Sequence, residues 1–397
     1  MRQCYSVGTK ESPYGNSMKN TWQELAQELE AAKAASLYRS LRIAEPDSPA
    51  LNFADNDYLG LRFHPRVVAA FQKAAEKYGT GSGASRLITG TSEIHERLEK
   101  QIAVFKRREK ALMYGSGYLA NLGIVSALAG EKDLVIIDKL NHASIIDACR
   151  LSGAELRVYP HKNLKKLETI LKSGARFRRK LIITDSVFSM DGDLAPLPEL
   201  ASIKKKYGAL LMIDEAHGTG VFGENGRGAA EHFGVEEEID ISMGTLSKAV
   251  GCLGGYAAGS AVLIDYLINF SRPFIFATAP PAAMAAACLE SFRVMEAEPE
   301  LRRKLWQNVK LTRKEINSLG YETGATESPI IPLLIGNEEK ALKLSVGLRE
   351  KSILISAIRY PTVGKGKARL RLTLSARHSP QDLDRLFTAM RQVRELL

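Results

Sequence analysis

Between about residues 97 and 260, four short apolar runs, Ala111–Tyr114, Leu134–Ile137, Leu181–Thr184 and Leu210–Ile213, alternate with stretches of helical spacing such as Ala143–Leu151 and Pro198–Tyr207. A strand that reads as one continuous apolar run is covered on both faces, and a following helix supplies such a cover. The rhythm therefore predicts βαβ units around a mostly parallel sheet. Sheets of that kind collect ligands outside the carboxyl ends of their strands, so the residues just after each apolar run carry the chemical interest.

The flanks divide the rest. Residues 22–42 have helical spacing and read, with everything up to 55, as an N-terminal arm; residues 56–290 form the large domain and 291–397 a smaller C-terminal α/β domain. That last part runs through a long helical region near 281–318, a strand at Ile330–Ile335, a helix near 339–351, strands at Ile353–Ile358 and Ala368–Leu374, and a closing helix from Pro380. Residues 1–17 have no apolar period, whereas Met18 opens a helix, so the first 17 are expected to be a disordered leader or a misplaced start.

Composition excludes several classes. With 397 residues, 45% hydrophobic and 25% charged, the chain is long enough for a large core and far from disordered compositions. Cys4, Cys149, Cys252 and Cys288 lack CxxC spacing, which argues against a disulfide framework or a metal site and suits a reducing cytoplasm. The longest charge-free stretch, Ala249–Ile264, is 16 residues with four glycines, short of the roughly 20 that span a bilayer. Basic residues outnumber acidic ones 55 to 45 but are dispersed, a pattern that fits anionic substrates better than nucleic acid.

Five segments carry candidate chemistry, four after these apolar runs and one after a short strand. Lys248 lies in SMGTLSKAVGCLGG among uncharged neighbours, where a partly desolvated amine has a lowered pKa and can attack a carbonyl; a surface lysine with a buried stem is the plainer reading. Thirty-four residues earlier, Leu210–Ile213 delivers Asp214 and His217 in DEAHGTG, a carboxylate able to hold a ring nitrogen protonated, or simply a helix cap and a loop histidine. YGSGYLAN (114–121) places free N–H groups at a helix start, which suits a phosphate. His142 in NHAS can stack on a flat ring or cap a turn, and DSVFSMDGD (185–193) adds hydroxyls and carboxylates at the same edge.

Together GSGASRLITGT, YGSGYLAN, HAS, DSVFSMDGD, DEAHGTG and TLSK resemble, in order and spacing, the α-oxoamine synthases, pyridoxal-phosphate (PLP) enzymes of transferase fold type I, from about residue 20 to the end. The pieces LYR (37–39), NDYLGL (56–61), AIRYPTV (357–363) and ARLRLTLSARH (368–378) resemble the branch that uses pimeloyl thioesters in biotin biosynthesis. The resemblance implies PLP as cofactor and a homodimer that condenses L-alanine with pimeloyl-CoA or a pimeloyl acyl carrier protein. Other branches use glycine with a short acyl-CoA or serine with a long chain, and a non-catalytic relative is a further alternative.

By the same resemblance Lys248 carries the cofactor, Asp214 partners the ring nitrogen and His142 stacks on the ring. Gly117, Tyr118, Ser189, His217 and Thr245 make further cofactor contacts, and Thr278 reaches the neighbouring subunit's phosphate. Arg371 holds the amino-acid carboxylate, while Arg39, Asn56 and Thr362, with Arg359 a further candidate, lie near the substrates. Two departures stand out: Gly364 replaces a proline expected in PTVP, and His161-Lys-Asn replaces His-Asn-Asp.

Overall fold

The computed structural model describes residues 15–41, 43 and 48–396, so most of the expected leader lies outside the described residues. Twelve strands occur among them: β1 (Leu51–Asn52), β2 (Lys110–Tyr114), β3 (Leu134–Asp138), β4 (Glu155–Tyr159), β5 (Lys180–Asp185), β6 (Leu210–Asp214), β7 (Ile241–Thr245), β8 (Gly255–Gly259), β9 (Ile330–Gly336), β10 (Ile353–Leu354), β11 (Ser356–Ile358) and β12 (Ala368–Thr373). The large sheet has the order β2-β8-β7-β6-β5-β3-β4, and only β8 runs against the others. This is the expected α/β architecture with a mostly parallel central sheet.

Alternation along the strands divides the core. Val135 and Ile137 of β3 and Met212 of β6 enter one apolar cluster, whereas Leu134 and Ile136 with Leu211 and Ile213 enter another on the opposite face. Successive side chains of a strand point to opposite faces, so a run with no polar interruption demands helices on both sides. A third cluster joins Phe53, Leu98 and Phe292 to Ile331, Leu370 and Leu386, so apolar packing is continuous from the large sheet to the C-terminal one.

The C-terminal sheet is the antiparallel set β11-β12-β9. In β12, Leu370 and Leu372 face the apolar cluster, and the intervening Arg369 and Arg371 therefore point the other way, toward the large sheet. There Arg371 Nε donates to Ser189 O at 2.6 Å, and Arg369 Nη1 meets Asp191 Oδ1 at 2.7 Å. Two guanidinium groups thus clamp the hairpin that follows β5.

Three expectations need adjusting. The arm helix runs Gly15–Ala34 instead of 22–42, and the chain turns at Ser36, whose φ of 56° is left-handed. The helical region near 281–318 is two helices, Ala282–Ala297 and Glu300–Ser318, divided at Pro299, which cannot donate the bond a continuing helix needs. Ile353–Ile358 is two strands: β10 pairs with β1 and β11 with β12.

Candidate active site

The carboxyl ends of β2, β3, β5, β6 and β7 open onto one edge. Asp185 and Asp214 are register partners at the ends of β5 and β6, and Asp214 faces Met243, two residues before the end of β7. After Thr245 the chain turns tightly, with Leu246 N bonded to Gly254 O and Gly251 N to Lys248 O, and this turn holds Lys248 at the same edge.

Lys248 Nζ lies 2.8 Å from His217 Nε2. Burial, aided by Arg371, outweighs the attraction of Asp214 and Asp185 and pushes the amine down to about 8. His217 is buried; desolvation holds its imidazole well below the usual range, with Lys248 and Arg371 acting in the same direction. Its Nδ1 meets Tyr58 Oη at 2.6 Å, and the Tyr58 hydroxyl reaches Asn56 Oδ1 at 3.2 Å. Asn56 Oδ1 also accepts both terminal nitrogens of Arg371 at 3.1 Å. One array therefore joins Lys248, His217, Tyr58, Asn56 and Arg371.

A second array surrounds Asp214. Its Oδ1 accepts from Ala216 N at 2.8 Å and its Oδ2 from Asn121 Nδ2 at 2.9 Å. Asn121 Nδ2 also reaches Ser144 Oγ at 2.9 Å, and Ser144 Oγ is 2.7 Å from His142 Nδ1. His142 N donates to Asp185 Oδ2 at 2.8 Å, while burial and the neighbouring Asp214 raise Asp185 well above the usual carboxylate range. The His142 residue as a whole is exposed, yet its inner edge is desolvated, and that burial lowers its pKa against the pull of Asp214. It caps the Ala143–Ser152 helix through Nδ1, and its Nε2 has no hydrogen-bond partner among the described residues.

At the third corner Ser116 caps the Gly117–Leu128 helix by accepting from Leu119 N at 3.1 Å. The N–H groups of Gly117 and Tyr118 have no acceptor among the described residues. A Cβ on Gly117 would stand 3.2 Å from both Cβ and Oγ1 of Thr245, so glycine permits this close approach. Thr245 Oγ1 itself bonds Ser247 Oγ at 2.7 Å and Gly254 O at 3.0 Å.

The donor set has the polarity PLP requires: free N–H groups at a helix start for a phosphate, an amine for a carbonyl carbon, and a buried carboxylate for a ring nitrogen. Asn121 Oδ1, buried without a partner, marks the interior of the same region as polar. The residues present fit the cofactor. Among the described residues no group of three or more His, Cys, Asp and Glu side chains is placed to hold a metal ion.

The remaining expected positions lie outside the two arrays. The Tyr118 hydroxyl turns away to Asp147, leaving only its backbone at the helix start. Thr278 is exposed on a segment bridged to Ser85, with no hydrogen bond to the Lys248 or Asp214 arrays. Arg39 meets Thr362 at 3.3 Å on an exposed surface, and Arg359 holds Ser36 O, tying the arm to the C-terminal part. Tyr58, Asn121 and Ser144 help carry the two arrays although the sequence reading gave none of them a role, whereas Asp185 is one of the carboxylates it placed at this edge.

The aminotransferase class I and II family model matches residues 48–390. The 8-amino-7-oxononanoate synthase of Symbiobacterium thermophilum is 45% identical over 383 residues, covering 94% of this chain and 98% of that protein. The enzyme of that name from Citrifermentans bemidjiense is 47% identical over 384 residues, covering 94% and 98%. Among solved structures, Sphingomonas wittichii serine palmitoyltransferase superposes with a TM-score of 0.90 at 31% identity, covering 97% of this chain and 99% of that one. On the family match, these relatives and the geometry of the lysine site, the chain belongs to the aminotransferase class I and II family, in its α-oxoamine synthase branch of PLP enzymes.

Proposed function

We propose that this chain joins L-alanine to a pimeloyl thioester, carried on coenzyme A or an acyl carrier protein, to give 8-amino-7-oxononanoate, carbon dioxide and the free thiol carrier. The reaction is a step of biotin biosynthesis. The observation that carries the reading is the convergence of Lys248, Asp214 and the Asn56–Arg371 pair at one sheet edge. The relatives are 8-amino-7-oxononanoate synthases, and L-alanine with a pimeloyl thioester is the pair that gives that product.

PLP, when bound, supplies an electron sink for charge developing at the amino acid's α-carbon. The chain's residues do the rest. Arg371, held by Ser189 O and Asn56 Oδ1, presents its guanidinium to the alanine carboxylate, a planar match for which arginine is suited. Lys248 Nζ, with its pKa near 8, is poised to take the α-proton and return it after decarboxylation. Asp214 places a fixed negative charge at the ring-nitrogen end. His142, whose Nδ1 is engaged by Ser144, keeps Nε2 free of protein partners among the described residues and would donate from it to the thioester oxygen as that atom gains charge. Gly117, Tyr118 and Thr245 would hold the phosphate end, while Ser189 and His217 would complete the cofactor contacts.

We further propose a cytoplasmic homodimer. Leu87, Ile88 and Phe276 are exposed apolar side chains near the Ser85–Thr278 bridge, and a second subunit would cover them and use Thr278. Sedimentation at a mass near 43.6 kDa would contradict the dimer. Among the described residues no helix is long and apolar enough to cross a membrane.

A second reading keeps the chemistry and changes the substrates, because the fold is also that of a serine palmitoyltransferase. A panel of L-alanine, glycine and serine against pimeloyl, acetyl and palmitoyl thioesters separates them. Turnover confined to L-alanine with pimeloyl thioester supports the proposal; preference for glycine with acetyl-CoA overturns it.

A further inference from the structure

We propose that Asn121 and Ser144 are positioning residues that fix the tautomer of His142, so that its outward nitrogen, Nε2, carries the proton. The inference rests on the reading of His142 as a donor to the acyl oxygen and adds the groups that make it one.

The argument is an inventory of protons. An ionised carboxylate only accepts, so Asp214 Oδ2, 2.9 Å from the Asn121 side-chain amide, must face its NH2 rather than its carbonyl. The second N–H of that amide goes to Ser144 Oγ at 2.9 Å. A hydroxyl has a single proton, and Ser144, already accepting, gives it to the nearest remaining acceptor, His142 Nδ1 at 2.7 Å. The backbone N–H of Ser144 points to the same Nδ1 at 3.3 Å. With two donors directed at Nδ1, that nitrogen has no room for a proton, and a neutral imidazole then carries it on Nε2.

The other groups agree. Lys248 and Asp214 lie within electrostatic range of His142, as does Asp147 on its own helix, and desolvation keeps the ring neutral against the two carboxylates. Asn121 and Ser144 are each 1% exposed, so water does not compete for these bonds. Asn121 Oδ1 has no partner, which shows which half of the amide the fold uses: the N–H groups are both spent and the carbonyl is left over. The relay also joins two functions, because the carboxylate that would face the ring nitrogen sets, through one amide and one hydroxyl, the proton position on the imidazole that would stack on the ring.

The test uses holoenzyme labelled with 15N-histidine, with the His142 signals assigned by their loss in His142→Asn. Long-range proton–nitrogen correlation reads the tautomer directly. The wild type should show an unprotonated Nδ1 and a protonated Nε2. Ser144→Ala should mix the tautomers and lower the condensation kcat by ~10²-fold, the scale of losing one oxyanion donor, while L-alanine binding changes less than twofold. Ser144→Thr, which restores a hydroxyl, should recover both signals, and Asn121→Ala should mix the tautomers as Ser144→Ala does. A wild-type ring protonated at Nδ1 overturns the proposal without any variant having to fold, and so does a pure Nε2–H signal in Ser144→Ala. If the tautomers behave as stated but His142→Asn condenses at the wild-type rate, the relay stands and the reading of His142 as acyl-oxygen donor fails.

Discussion

The Tyr58 hydroxyl stands 2.6 Å from His217 Nδ1, and on the far side of the same ring Nε2 stands 2.8 Å from Lys248 Nζ. When Lys248 is protonated it can only donate, so Nε2 accepts, Nδ1 carries the proton, and Tyr58 receives it and passes its own to Asn56 Oδ1. The array thus runs without a break from Lys248 to Asn56, which holds Arg371.

Removing the Tyr58 hydroxyl leaves a buried imidazole nitrogen without its partner, a loss of about 1–3 kcal/mol. Tyr58→Phe should lower the denaturant midpoint of the apoprotein accordingly and slow turnover. An unchanged midpoint and unchanged kcat would show that the contact does nothing.

Arg371 is nearly buried, and its terminal nitrogens share one acceptor, so a lysine cannot reproduce its planar arrangement. Loss of a charge-assisted bond of about 1.5–3 kcal/mol corresponds to ~10- to 150-fold in affinity. Arg371→Lys should raise KM for L-alanine by that factor and leave KM for the thioester nearly unchanged. The reverse pattern would place Arg371 on the acyl side.

His161 bridges Asp138 at 3.0 Å and Asp193 at 2.9 Å beside the hairpin that carries Ser189. Burial disfavours its charge, but the bonds to the two carboxylates outweigh that and raise it from 6.5 to about 9. A folded-state pKa above the unfolded one means that the stabilisation is complete below about 6.5 and is lost as pH rises through about 9. Melting of the wild type should therefore fall across that window, and His161→Gln should start lower and fall less. Parallel curves would contradict the histidinium bridge.

The pKa of Lys248 near 8, against an ordinary 10.5, sets the pH at which the free amine becomes available. Capture of PLP by the apoprotein should accelerate with pH and level off above about 8. A rate still climbing past pH 10 would show an unperturbed lysine.

Much of this arrangement was legible in the sequence because it follows from strand ends. Asp185 and Asp214 close strands β5 and β6, so a continuous apolar run points to them directly, whereas Lys248 follows the shorter, mixed strand β7 and is marked by its uncharged neighbours. The relays were not legible, because Tyr58 and His217 are 159 residues apart, Asn121 and Asp214 are 93 apart, and such contacts exist only once the sheet has brought the edges together. The break at Pro299 was available as a helix stop, whereas the division between β10 and β11 depends on which sheet edge each finds. Arg359 was legible only as one of two readings, a substrate contact or a brace for the N-terminal arm, and its guanidinium bonds Ser36 O of that arm.

The central claim is that Lys248 is the residue that carries the cofactor, and borohydride reduction of the PLP-loaded protein followed by peptide mapping tests it most directly. The account predicts a pyridoxyl group on the peptide containing Lys248, no stable labelling of Lys248→Ala, and loss of turnover in that variant. A pyridoxyl group on another lysine, with Lys248→Ala still labelled and still active, would contradict it.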